Sequence, residues 1–351
     1  MTRPLTIAAA LLFTSLAAAC AGAHPAAHAP SAQLVAQPIA PGREWLSTRQ
    51  RSHPLAGRIW DVKRQVFADE GVLASAVAGS DFVLLGEVHD NPDAHLLQAR
   101  LVRAASAAGK KPALAMEMLD ADVQPEVDRA LATDPRSADA FAKAVKWDES
   151  GWPDFVMYRP ILVAALDAGL PVKAANLPKP LAKAAVKQGK DGLPEAIRAR
   201  LSRDEPLPEP VVKELREEMR TSHCNVLPEP LLDPMALAQR ARDAQMALTL
   251  EATGAAGAIL VTGNGHARND RGVPAILAKD APGRRIVSVG ILEVESGRPQ
   301  PKDYVADWGT AGGLPFDYVI FTPGAERPDP CAKLREMHAP KKADAPKPAS
   351  P

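Results

Sequence analysis

Six short apolar runs limit what this chain can fold into: "DFVLLGE" (81–87), "KPALAME" (111–117), "PVKAANL" (171–177), "AAGAILVTG" (255–263), "RRIVSVGILEV" (284–294) and "FDYVIFT" (316–322). Most are nearly continuous rather than alternating, the pattern of strands covered on both faces. Helical periodicity fills the gaps between them. "NPDAHLLQARLVRAASAAG" predicts a helix capped by Asn91, with Pro92 at its first position, Asp93 in its first turn and a close at Gly109. "EPLLDPMALAQRARDAQMALTLEATG" places Leu237, Ala241, Ala244 and Leu248 on one stripe and ends at Gly254. Strand, helix and strand in succession predict right-handed crossovers, hence an α/β fold with a largely parallel sheet flanked by helices. Residues 179–221 are charged and proline-punctuated, and read as a helical insertion or cap. One domain over about residues 45–335 is the simplest organisation.

The ends of the chain differ from this middle. Arg3 precedes an apolar stretch from Leu5 to Ala19 that is too short to span a bilayer comfortably, so residues 1–19 read as a signal peptide. "LAAAC" runs small residues into Cys20, which fits a bacterial lipobox and an acylated cysteine carrying chains such as palmitate; an ordinary signal peptide is the alternative. Residues 20–44 are rich in Ala and Pro and read as a lipidated flexible tether holding His24 and His28, and residues 336–351 read as a disordered tail. Together these place the protein in the cell envelope, on the outer membrane where there are two, because Ala21 is not the acidic residue associated with inner-membrane retention. Export favours a disulfide between Cys224 and Cys331, with "SHC" offering His223 and Cys224 to a metal as the weaker alternative. Lys+Arg and Asp+Glu are both 42, so no basic field exists to hold a phosphate backbone and nucleic acid is not an expected partner.

Ligands of open parallel sheets sit outside the carboxyl ends of the strands. Here those ends carry Glu87 and His89, then Glu117, then Asn176, then "TGNGHAR" with His266 and Arg268. A carboxylate finishing a core strand between Met116 and Met118 needs a cationic or metal partner, since an unpaired buried charge costs several kcal/mol. Gly86-x-x-His89 and Gly263-x-x-His266 share a pattern in which glycine permits a sharp turn or close approach before a histidine. Glu87, His89, Glu117 and His266 can therefore bind a divalent metal or transfer protons, or form a purely structural cluster in which Arg268 pairs with Glu117. His95 sits one turn into the following helix, within reach of the same cavity. Aromatics make up only 4% of the chain, yet Trp147, Trp152, Phe155 and Tyr158 fall within twelve residues and suggest an apolar wall or lid. Tyr158 offers a phenolate suited to ferric haem, or else packs its own helix.

"LLGEVHDNPDAH", "MEM", "WPDFVMYRPILVAALDAGLPVKAAN", "SHCNVLPEPLLDPMALAQRARDAQMA", "VTGNGHARNDRGVP" and "FDYVIFTPGAERPDPC" together resemble the ChaN family of haem-binding lipoproteins, related in fold to the Tiki and TraB proteins and to erythromycin esterase. The resemblance implies a helically capped α/β sheet, a role in iron or haem uptake, and haem held with tyrosine ligation between two copies in a haem-dependent homodimer. Tyr158 is the matching tyrosine it suggests, with His89, His266 and Arg268 serving the porphyrin. Its Tiki-like side implies the alternative, a metal-dependent hydrolase using Glu87, His89, Glu117 and His266.

Overall fold

A computed structural model describes residues 44–107, 109–203, 205–308, 313–329, 331, 332 and 336. The expected signal peptide, Cys20, most of the tether and nearly all of the tail lie outside the described residues. In chain order the elements are β1 (Ile59–Asp61), β2 (Val66–Ala68), α1 (Glu70–Gly79), β3 (Phe82–Glu87), α2 (Pro92–Ser106), β4 (Ala113–Asp120), α3 (Gln124–Thr133), α4 (Ala138–Ala144) and α5 (Phe155–Asp167). They continue with β5 (Val172–Asn176), α6 (Lys179–Gln188), α7 (Glu195–Arg203), α8 (Glu209–Ser222), α9 (Leu232–Glu251), β6 (Ala258–Gly263), α10 (Val273–Asp280), β7 (Ile286–Glu293) and β8 (Tyr318–Thr322).

The strands form one sheet in the order β2-β1-β8-β7-β3-β6-β4-β5. From β8 to β5 every neighbouring pair is parallel, and at one edge β1 pairs antiparallel with both β8 and β2. All six apolar runs are strands of this sheet, and their composition follows from burial on both sides. In β3, Val83 and Leu85 enter the apolar layer under α2 and α5, while Phe82 and Leu84 enter the layer under α9 and α10. β4 divides likewise, with Leu114 and Met116 on one side and Ala113 and Ala115 on the other. Each fully buried Leu or Phe contributes roughly 1.5–3 kcal/mol, which is why these strands are mostly apolar before their carboxyl ends; Lys173 in β5 and the buried Ser288 in β7, bonded to the Ala267 carbonyl, are the exceptions.

Asn91 caps α2, its side chain accepting from the N–H groups of Asp93 and Ala94. The helix stops at Ser106, earlier than the expected Gly109. α9 is buried on two faces: Ala241 and Ala244 meet the layer formed with α6 and α7, and Met246, Ala247 and Leu250 meet the sheet. The segment 179–221 contains α6, α7 and most of α8. α8 adds a separate small cluster, in which Leu215 and Met219 pack on Leu232 and Ala236.

The β1–β2 hairpin was not expected from the sequence. Each strand has three residues, and β2 is largely exposed, so no apolar pattern marks it. β4 also runs past Glu117 to Asp120, because Met118 and Leu119 keep the strand buried. Its register with β5 shifts between Met116 and Asp120, which sets Glu117 inside an irregularity facing β6.

Candidate functional site

The parallel strands deliver their last residues to one edge, where Glu87, Glu117, Asn176 and His266 are all buried. The two Gly-x-x-His motifs interlock there. A side chain at Gly86 would stand 2.4 Å from Oδ1 of Asn264, whose amide donates to the Ile291 carbonyl at 2.8 Å and accepts the Ile291 N–H at 3.1 Å, pinning the second motif to β7. A side chain at Gly263 would meet the ring of His89, 3.0 Å from Cε1 and 3.1 Å from Nε2. Each glycine thus makes room for the other motif's polar residue.

Glu87 is the centre of one network. Its Oε1 lies 2.9 Å from His89 Nδ1 and accepts the Tyr158 hydroxyl at 2.7 Å, while Oε2 stands 3.2 Å from Nε2 of the fully buried His95. Burial pushes this carboxyl up, but His95 and then the His89 hydrogen bond outweigh it and hold it at about 2. Glu117 is the centre of the other. Its Oε2 accepts the Thr262 hydroxyl at 2.7 Å and the Gly263 N–H at 2.8 Å, and its Oε1 lies 3.5 Å from His266 Nε2. The opposite nitrogen of His266 is 2.6 Å from Oδ1 of Asp243 on α9. Burial pushes the His266 imidazole down, but the Glu117 and Asp243 carboxylates prevail and raise it to about 9. Burial likewise works against the His89 imidazolium, and the Glu87 hydrogen bond still leaves its pKa raised.

These networks border a cavity of about 550 Å³ reached by His89 and His266 and walled by Glu218 of α8, Glu293 of β7, Tyr304 and Trp308. His89 is the more open of the two, its side chain 38% exposed and its ring edge-to-face with Trp152 at 4.9 Å. Arg327 spans the far side, forked onto Glu293 at 2.6 and 2.8 Å and reaching Asp90 at 2.7 Å. Asn91 ties the same corner together, donating to Glu293 Oε1 at 2.8 Å and to the Pro323 carbonyl at 3.0 Å.

Several expectations change here. Tyr158 is fully buried, with its hydroxyl committed to Glu87 and, at 3.3 Å, the His89 carbonyl; burial and then the Glu87 charge push its phenol well above the usual range. A phenolate open to an iron is not what this position presents. Trp147, Phe155 and Tyr158 pack the core rather than line a cavity, and of that aromatic segment Trp152 is the ring that touches His89. Arg268 pairs with Asp270 through two bonds of 2.8 and 2.6 Å and donates to the Trp308 carbonyl at 2.9 Å, so it partners neither Glu117 nor an open site. Glu87, His89, Glu117 and His266 converge, yet among the described residues no three His, Cys, Asp or Glu side chains stand in metal-holding geometry. One oxygen of each carboxylate is spent on histidine, tyrosine, threonine or backbone donors while the other faces a histidine, and the Nδ1 atoms of His89 and His266 are spent on carboxylates. Cys224 is bonded to Cys331, which removes the His223–Cys224 alternative. Asp243, Glu293 and Arg327 were missed: Asp243 sits between the apolar-stripe residues of α9, and its only signal is an acid set among alanines.

The family described as haem-binding uptake, Tiki superfamily, ChaN, matches residues 73–277. A solved structure titled as cofacial heme binding to ChaN of Campylobacter jejuni superposes with a TM-score of 0.54 at 21% identity, covering 75% of this chain and 95% of that one. An erythromycin esterase in its open conformation gives a TM-score of 0.43 at 13% identity, covering 82% of this chain and 99% of that one. No curated protein matches the chain significantly.

Proposed function

Because the chain belongs to the ChaN family of the Tiki superfamily, we propose that it binds haem at the carboxyl edge of its sheet and serves iron or haem uptake as an envelope lipoprotein anchored through Cys20. The observation that carries the site is His89: an imidazole at the cavity mouth, backed by Glu87 and flanked by Trp152. A carboxylate behind the far nitrogen fixes the ring and raises its basicity, as it does for metal-bound histidines generally. Haem supplies an iron that takes such a nitrogen donor. The acids on the cavity walls behind it are paired with arginines, Glu218 with Arg271, Glu293 with Arg327, and Glu295 and Asp307 with Arg298. His89, the more open imidazole, therefore sets the porphyrin across the mouth. A face left open in that pose favours pairing of two protomers around stacked haems. Hemin titration followed at the Soret band tests this in wild type, His89→Ala and Tyr158→Phe. We expect saturable binding that His89→Ala weakens and Tyr158→Phe largely keeps. No saturable change in wild type would sink the haem reading, whereas an unaltered His89→Ala spectrum would sink only the ligand assignment.

A second reading rests on His266. With Asp243 on one nitrogen and Glu117 facing the other, it forms a carboxylate–histidine pair of the kind that moves protons in ester hydrolysis. Turnover of a nitrophenyl ester that disappears in His266→Ala, in protein shown by elemental analysis to carry no metal, would favour it. Absence of turnover in wild type counts against it.

A further inference from the structure

Away from the strand-end cavity, α6 and α9 leave a groove of about 360 Å³ between them. Its floor is apolar, made by Ala182 and Val186 of α6 and by Met235 and Ala238 of α9. Its rim is cationic: Lys179, Lys183 and Lys187 recur at four-residue spacing along one side, Arg242 stands on the other, and no carboxylate lines the groove. Two of these cations are partly engaged. Lys179 donates to the Ser150 carbonyl at 2.9 Å and Arg242 to Asn176 at 2.9 Å, and Asp120 lies near both. Lys183 and Lys187 are exposed and have no ion-pair or hydrogen-bond partner among the described residues. Lys190, at the end of the same stretch, is by contrast paired with Glu205.

We propose that this groove is a docking face for an anionic phospholipid surface. Lysine stems can lie along the apolar floor while their ammonium groups reach outward to phosphate, and the floor admits the shallow apolar layer beneath the headgroups. The complementarity is one-sided, with cations at the rim, apolar carbon between them and no carboxylate lining the groove. A consequence follows from Gln239, which lines both this groove and the strand-end cavity. Docking there sets the strand-end cavity beside the membrane surface, whatever ligand the cavity takes.

The test uses the full chain carrying Cys20→Ser, so that no acyl group supplies membrane affinity, and sediments it with vesicles. Phosphatidylcholine vesicles containing phosphatidylglycerol are expected to bind it and pure phosphatidylcholine vesicles to leave it in solution. Each lysine at an anionic surface is worth about fivefold in partition, so Lys183→Gln with Lys187→Gln should weaken binding roughly 25-fold. High salt should do the same to wild type. Circular dichroism checks that the exposed substitutions leave the fold intact, and Lys190→Gln, which removes one positive charge outside the groove, serves as a control that should bind within a few-fold of wild type. Equal binding to both vesicle types, or a double variant that binds as wild type does, overturns the proposal. Loss of hemin binding in the double variant with vesicle binding unchanged also overturns it, and assigns the groove to the porphyrin.

Discussion

Gly263 gives way to His89: a methyl at the glycine would stand 3.0 Å from the imidazole Cε1 and 3.1 Å from Nε2. That spacing is tighter than ordinary contact but leaves room for the ring to move by a few tenths of an ångström. We expect Gly263→Ala to displace His89 without unfolding the protein, costing about 1 kcal/mol while weakening hemin binding several-fold. Gly86→Ala is the harsher change, because the new methyl meets Oδ1 of Asn264 at 2.4 Å and must break the bonds that hold the loop to β7. A destabilisation of about 2–3 kcal/mol is expected there. Urea denaturation separates the two, and a Gly86→Ala protein as stable as wild type would contradict the interlocking of the motifs.

The parallel sheet was legible because burial on both faces writes itself into six apolar runs, and the strand-end rule then located Glu87, His89, Glu117 and His266 together. Asp243 was not legible, because a helix periodicity reports which side is apolar but not that one acid faces a histidine from another segment. Tyr158 misled for the opposite reason: its chemistry suits iron, and only the packing of α5 on α2 shows its hydroxyl spent on Glu87. The β1–β2 hairpin escaped because strands of three residues are too short to carry a pattern, and β2 is largely exposed.

Stability should depend on pH from both sides. Glu87 is held at about 2 against an unfolded value of 4.5, so its contribution is fully present above pH 4.5 and is lost as pH falls toward 2. His266 is raised to about 9 from 6.5, so its contribution is fully present below pH 6.5 and is lost as pH rises through 9. Each shift corresponds to something on the order of 3 kcal/mol. Unfolding free energy should therefore peak between about pH 4.5 and 6.5 and decline on both sides. Asp243→Asn removes one of the carboxylates facing His266, lowers its pKa toward 6.5 and flattens the alkaline limb. A wild-type stability that climbs steadily from pH 6 to pH 9 would refute the assignment of His266 as an imidazolium.

The Cys224–Cys331 disulfide joins the end of α8 to the chain just beyond Arg327, across a sequence separation of 107 residues. Loop entropy assigns roughly 4–5 kcal/mol to such a closure, an upper figure because native strain subtracts from it. α8 is also held by its small apolar cluster, by the pairs that Arg271 makes with Glu214 and Glu218 at 3.0 and 2.6 Å, and by partly exposed pairs of Arg216 and Arg220 with Glu229 and Asp233. Cys224→Ser with Cys331→Ser should therefore lower global stability by several kcal/mol and raise amide exchange in α8 more than in α2. Uniform exchange across both helices would show that the bond does not hold the cap.

Asn91 is the joint between the first strand-end loop and the last segment of the chain. Its Oδ1 accepts from the N–H groups of Asp93 and Ala94 at 3.0 and 3.1 Å, and its Nδ2 donates to Glu293 and to the Pro323 carbonyl. Loss of the cap alone costs about 1 kcal/mol, and leaving Glu293 and a buried carbonyl short of a donor adds about 1–3 kcal/mol. Glu293 is also the anchor of Arg327, so the defect reaches the cavity wall rather than staying in α2. We expect Asn91→Ala to destabilise the protein by about 2–4 kcal/mol. Asn91→Asp keeps the acceptor of the cap but sets a carboxylate against Glu293, which isolates the second role. If Asn91→Asp is as stable as wild type near neutral pH, the cap is the whole of the contribution. If it falls as far as Asn91→Ala, the bridge to Glu293 dominates, and restoring stability by adding Glu293→Gln would demonstrate the coupling directly.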